Sequence, residues 1–115
     1  MTAYALAHLQ PPATLPEEVF TYMERIQATL EPFGGRFRVH GSLPEVVEGP
    51  LDGMYVLIEF PGMDDAEGWY GSDAYQAILP MRTDNMKGTA VLLQGVPEGY
   101  DPAATAAAFR TLQNP

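Results

Sequence analysis

The run Met54-Tyr55-Val56-Leu57-Ile58-Glu59-Phe60 constrains the fold more than any other segment. It is rich in β-branched and aromatic residues, and apolar side chains fall on both of the faces that alternate along a strand. A strand with two apolar faces needs cover on both sides, which predicts a central position in a sheet. Pro61-Gly62 ends it.

The other elements have to be arranged around that strand. Residues 3–9 form a short apolar run closed by Pro11-Pro12, which cannot continue a ladder, and read as a first strand. Thr14-Leu15-Pro16-Glu17 has the form of a capping box, and Val19, Met23, Ile26 and Leu30 then recur with helical period. The pattern predicts a helix over 15–32, stopped by Pro32 and Gly34-Gly35. Arg36-Phe37-Arg38-Val39-His40 alternates strictly and reads as a half-buried strand, which would place Arg36, Arg38 and His40 on one face. The connection from Gly41 to Gly53 holds a candidate short strand at 45–48. After the central strand, Asp64 can cap a short helix, and Ser72 a second one running to about Met86. Tyr75, Ile78, Leu79 and Arg82 lie along one side of that helix, and Pro80 predicts a kink or an early stop near Leu79. Residues 89–94 read as the last strand, and Asp101-Pro102 opens an Ala-rich helix over 102–113.

The order βαββαβ predicts an α+β, ferredoxin-like sandwich. It has a four-stranded antiparallel sheet, both helices on one face, and an extra helix at the C-terminus. At 115 residues the chain has room for one such domain, over 1–97, with 98–115 as a helical extension. The first and last strands have no clearly polar face. Four strands about 4.8 Å apart and about 20 Å long present roughly 400 Å². An apolar face of that size is at the upper end of what a soluble monomer carries. A homodimer formed through the helix-free sheet face is therefore expected, the terminal helix being the other possible cover.

Charge and composition limit the partners. The net charge of −9 argues against nucleic acid and against an anionic membrane surface. Without cysteine there is no disulfide, no thiolate nucleophile and no cysteine zinc site. Two histidines with scattered carboxylates show no metal-ligand spacing, and no phosphate loop or dinucleotide fingerprint is present. The expectation is a chain with no metal and no cofactor. The N-terminus lacks the form of a secretory signal and no apolar run is long enough for a membrane span, so a cytoplasmic protein of bacterial type is expected.

Four blocks carry a family likeness: Phe33-Gly34-Gly35-Arg36-Phe37, Val46-Val47-Glu48-Gly49, Ile58-Glu59-Phe60-Pro61-Gly62, and Gly68-Trp69-Tyr70-Gly71-Ser72-Asp73-Ala74-Tyr75-Gln76-Ala77-Ile78-Leu79-Pro80-Met81-Arg82. In order and spacing they resemble the domain-of-unknown-function (DUF) family 1330, of the dimeric α/β-barrel superfamily. The likeness covers residues 3–96. Ser42 stands where a second glycine is common in the family, and Gly62 where a serine is common. The resemblance implies a ferredoxin-like homodimer whose sheets close face to face. It implies no activity, because the family's function is not established; the wider superfamily includes cofactor-independent monooxygenases, muconolactone isomerase-like proteins and haem enzymes, whose activities would transfer only by analogy of fold.

Several residues are candidates for chemistry. Arg36, Arg38 and His40 are either edge charges that discourage strand pairing or a basic lining for an anion. His40 is also a candidate acid or base. Trp69, Tyr70 and Tyr75 are either core residues holding two short helices to the sheet or an aromatic wall for a ligand. Ser72 reads as a helix cap. Arg82 either caps carbonyls or pairs with Glu59, or contacts a ligand. Glu59 needs a partner if it points inward and is solvated if it lies at the strand end. Two functions follow. One is a small homodimer that binds or converts a small organic acid or aromatic metabolite without cofactor. Its candidate catalytic residues are His40 and Glu59, and its candidate ligand contacts are Arg38, Trp69, Tyr70, Tyr75 and Arg82. The other is a non-catalytic dimerisation or interaction module.

Overall fold

The structure, a computed structural model, describes residues 1–114. Its strands are β1 (Ala3–Gln10), β2 (Arg36–Val39), β3 (Met54–Phe60) and β4 (Lys87–Gln94). Its helices are α1 (Glu17–Leu30), α2 (Met63–Tyr70), α3 (Asp73–Thr83) and α4 (Pro102–Gln113), and a 3-10 turn at Glu31–Phe33 follows α1. The four strands form one sheet in the order β2-β3-β1-β4. All neighbours are antiparallel, and β3 is central. This is the ferredoxin-like arrangement with a helix appended at the C-terminus.

The register sorts the side chains. Ala3, Ala5 and Ala7 of β1 stand beside Phe60, Ile58 and Val56 of β3 and beside Gln94, Leu92 and Ala90 of β4. On this face Ala3, Ala5, Ile58 and Phe60 are buried, in one core with Tyr22, Ile26 and Leu30 of α1 and with Trp69, Tyr75 and Ile78. The other parity places Tyr4, Leu6 and His8 beside Glu59, Leu57 and Tyr55, and beside Leu93, Val91 and Thr89. Among these, Tyr55, Val91 and Leu93 are exposed, and no described helix packs over them. Elongation to 52 Å along the longest axis accompanies an α4 none of whose own described residues is buried.

Several local expectations change. The helix-starting cap is Pro16, extended at φ −65° and ψ 155°, with no side-chain cap. Thr14 stands one residue pair too early to take that role, so no capping box forms. The buried stripe of α1 is Val19, Tyr22, Ile26, Thr29 and Leu30, while Met23 is exposed. Residues 45–48 form no strand, and Val46 and Val47 are exposed with no neighbouring strand to pair with. Gly62, not Asp64, precedes α2, again without a side-chain cap. The last helix before β4 does not stop at Leu79. Pro80 lies inside α3 on its exposed side, and the Asp84 N–H closes the turn on the Pro80 carbonyl at 2.9 Å. Ser72 is the cap of α3, accepting from the Tyr75 N–H at 3.3 Å.

The largest correction concerns β2. Arg36 pairs with Glu59 and Phe37 with Ile58, but Val39 pairs with Leu57, so one extra residue is inserted between Phe37 and Val39. A bulge of this kind reverses the alternation beyond it. Arg36 and Arg38 therefore stay with Glu59 on the helix-free face, whereas His40 turns to the other side and stacks edge-on against Phe37 at 5.2 Å. The three basic residues do not share one face.

Candidate functional site

A half-open cavity of about 500 Å³ lies between the sheet and the helices α1 and α3. Its origin is visible in the sequence. The β1 residues that face the helices are alanines, and Ala5 and Ala7 line the cavity together with Ala90 of β4. Small residues on the floor leave open the space that larger side chains would fill. Val56, Ile58 and Leu92 complete the floor, and Val19, Met23 and Ile26 of α1 form the roof.

The α2–α3 junction supplies the aromatic wall. Ser72 accepts from Tyr75 and donates to the Trp69 carbonyl at 2.7 Å, which ties the two short helices together. The rings of Trp69 and Tyr75 are then 4.1 Å apart at their centroids, with Tyr70 5.6 Å from Tyr75. The Trp69 indole N–H donates to Thr29 Oγ1 at 3.0 Å, and Thr29 in turn donates to the Ile26 carbonyl at 2.7 Å. The ring of Trp69 is thus fixed by packing and by a satisfied polar chain. Trp69 and Tyr75 are buried, while Tyr70 is exposed and stands at the cavity edge.

Three polar groups meet inside. The hydroxyls of Tyr22 and Tyr75 are 2.7 Å apart. Burial first, and then the neighbouring Tyr22, push the Tyr75 phenol well above its ordinary value, so it remains a neutral donor. Arg82, only 8% exposed, places its guanidinium carbon 5.8 Å from the centre of the Tyr22 ring. Burial opposes its charge, but the Tyr22 and Tyr75 hydroxyls outweigh that effect and hold its pKa above the usual value. No carboxylate lies within 4.0 Å of Arg82 among the described residues. His40 is exposed and lines the same cavity at its rim.

Five of the candidate residues therefore share one cavity: His40, Trp69, Tyr70, Tyr75 and Arg82. Arg38 and Glu59 are elsewhere. Glu59 accepts from Arg38 at 3.2 Å and from Arg36 at 3.3 Å on the helix-free face. Those two arginines, Arg38 foremost, hold its carboxyl below the ordinary value against a smaller opposing effect of burial. Arg82 does not pair with Glu59. Tyr22 and Phe37 also line the cavity, although the sequence does not single them out. Tyr22 was legible as the residue three after Val19 and four before Ile26. No group of histidines and carboxylates among the described residues could hold a metal ion.

The family's sequence profile matches residues 2–96. The chain belongs to the family described as domain of unknown function DUF1330. Helix α4 lies beyond the matched part of this DUF1330 chain. No curated protein matches it. Among solved structures, it is similar to a Caulobacter crescentus protein provisionally assigned to the antibiotic biosynthesis monooxygenases, with a TM-score of 0.62 and 19% identity over 84% of this chain and 91% of that one. It is also similar to SnoaB of Streptomyces nogalater, named as a cofactor-independent oxygenase, with a TM-score of 0.58 and 14% identity over 87% and 98%. A dimeric ferredoxin-like protein of unknown function from Thermobifida fusca gives a TM-score of 0.56 and 14% identity over 83% and 92%. At these identities the DUF1330 chain shares a fold with them. No helix among the described residues is long and apolar enough to cross a membrane.

Proposed function

We propose that two copies of this chain pair through their helix-free sheet faces, and that each copy binds a small, largely apolar or aromatic organic molecule in the cavity on the opposite side of its sheet. The half-open cavity of about 500 Å³, walled by Trp69, Tyr70 and Tyr75, carries the second half of the proposal. Ligand sites are concave, mostly apolar and equipped with a few convergent polar groups, and this cavity has that character. The first half is supported by the exposed row of Tyr55, Val91 and Leu93 and by the dimeric state of the Thermobifida fusca relative in fold. Acid/base chemistry on a bound molecule falls to His40, at the rim beside Phe37. The description of SnoaB as cofactor-independent supports chemistry in such a cavity without a cofactor.

Calorimetric titration with 2-naphthalenemethanol, a neutral fused-ring probe, tests the cavity. The expected result is saturable binding with one site per chain, abolished by Ala7→Phe, which fills the floor. No heat at millimolar probe, or binding unchanged in Ala7→Phe, contradicts the proposal and leaves a dimerisation module. Light scattering tests the assembly, with a mass of twice 12.6 kDa expected.

A further inference from the structure

We infer that the molecule held in the cavity is a monocarboxylic acid with a flat apolar body, its carboxylate seated on the Arg82 guanidinium. The inference rests on the cavity being a binding site, and it names the class of ligand. Arginines are almost never fully buried without a partner, because an uncompensated buried charge is costly. Arg36 and Arg38, which are solvent-exposed, share Glu59. Arg82, which is buried, has no carboxylate within 4.0 Å among the described residues. The chain has fifteen acidic residues, yet none lines the cavity. The position that a counter-ion would take is therefore left to the ligand.

The chemistry of the surroundings selects the anion. The guanidinium fork matches the two oxygens of a carboxylate. The hydroxyls of Tyr22 and Tyr75 stand beside it; one donates to the other, and the hydrogen of the accepting hydroxyl is left to donate to the same group. Among the described residues Arg82 is the only lysine or arginine in the lining, so one negative charge is compensated there. A second carboxylate or a doubly charged phosphate would be carried unpaired into apolar surroundings. The rest of the ligand meets Val19, Ile26, Val56 and Leu92 and the Trp69–Tyr75 wall, which favours a planar hydrocarbon body.

Calorimetry on the full chain with four naphthalene probes tests this. 2-Naphthoate is expected to bind roughly 10- to 100-fold more tightly than 2-naphthalenemethanol, the range of a charge-assisted hydrogen-bond pair. 2,6-Naphthalenedicarboxylate and 2-naphthyl phosphate are expected to bind more weakly than 2-naphthoate. Arg82→Met and Arg82→Gln should both erase the preference for 2-naphthoate while changing 2-naphthalenemethanol by less than about threefold, since only the charged contact is lost. Equal binding of the acid and the alcohol to the parent overturns this inference and leaves the cavity reading intact. So does a preference that survives in either variant, or tighter binding of the phosphate. Failure of both the acid and the alcohol to bind overturns the cavity reading and this inference together.

Discussion

Replacing Arg82 by methionine should leave the ligand-free protein about as stable as the parent. The side chain is 8% exposed and faces no carboxylate among the described residues. The effective cost of burying such an ion is several kcal/mol after relaxation. Against it stand a cation–π contact with Tyr22 at 5.8 Å and the neighbouring phenol oxygens. Those are worth about 0.5–2 kcal/mol and about 1.5–3 kcal/mol respectively. Methionine keeps most of the aliphatic packing, and the Tyr22 and Tyr75 hydroxyls remain paired with each other at 2.7 Å. The phenol oxygens offset the burial, so the balance is near zero, within about 1 kcal/mol either way. For a chain of this length that keeps Tm within roughly 3–6 °C of the parent's. Urea unfolding at fixed chain concentration, followed by emission from the single tryptophan, measures it. A midpoint close to the parent's, with an unchanged slope, is the expected result. A loss of about 2 kcal/mol or more refutes the reasoning, because Arg82 would then be a structural cation whose partners are already present in the fold. 2-Naphthoate at a hundred times the parent's Kd should stabilise the parent by about 2.7 kcal/mol and Arg82→Met by only about 0.4–1.4 kcal/mol.

Three further outcomes follow from the geometry. Leu6→Glu places a charge in the middle of the helix-free face, beside Leu57 and Val91, and should halve the mass measured by light scattering while the far-ultraviolet spectrum stays the same. An unchanged mass would place the dimer contact elsewhere. Thr29→Val removes the acceptor of the Trp69 indole N–H, so about 1–3 kcal/mol of stability should be lost in urea unfolding, and a loss under about 0.5 kcal/mol would show that water replaces Thr29. Tyr75 has its folded-state pKa raised above the ordinary 10.0, so the native state holds its proton more tightly than the unfolded chain does. Stability is then fully present below about pH 10 and falls as pH rises beyond it, and Tyr75→Phe should flatten that fall. An equal alkaline fall in the variant would assign it to other groups.

The sheet was legible because one segment left little choice. With apolar residues on both faces, Met54–Phe60 can only be central, and the remaining periods then fix the order of the strands. Of the two apolar faces of β1, the structure covers the one that carries Ala3 and Ala5. What alternation could not show is an insertion. Nothing in Arg36-Phe37-Arg38-Val39-His40 marks Arg38 as the extra residue, and a single bulge decides whether His40 joins the arginines or the aromatics. The structure thus gathers the aromatic candidates, His40 and Arg82 around one cavity, and places Arg38 and Glu59 on the opposite face. The aliphatic period of α1, Val19, Met23, Ile26 and Leu30, leaves Tyr22 outside the stripe. Its hydroxyl becomes informative only once the fold brings Tyr75, distant in sequence, to within 2.7 Å. The helix starts at Glu17 and Met63 were misread for a related reason. Threonine and aspartate mark candidate caps, but extended Pro16 and Gly62 stand at the actual entries.

A crystal structure of the protein with 2-naphthoate tests the central claim most directly. The account predicts the naphthalene ring against Trp69 and Tyr75, and carboxylate oxygens within about 3 Å of the Arg82 guanidinium. It also predicts a second copy of the chain seated on the helix-free sheet face. An empty cavity at saturating ligand, or naphthoate bound on the sheet face between Leu6 and Leu57, would contradict it.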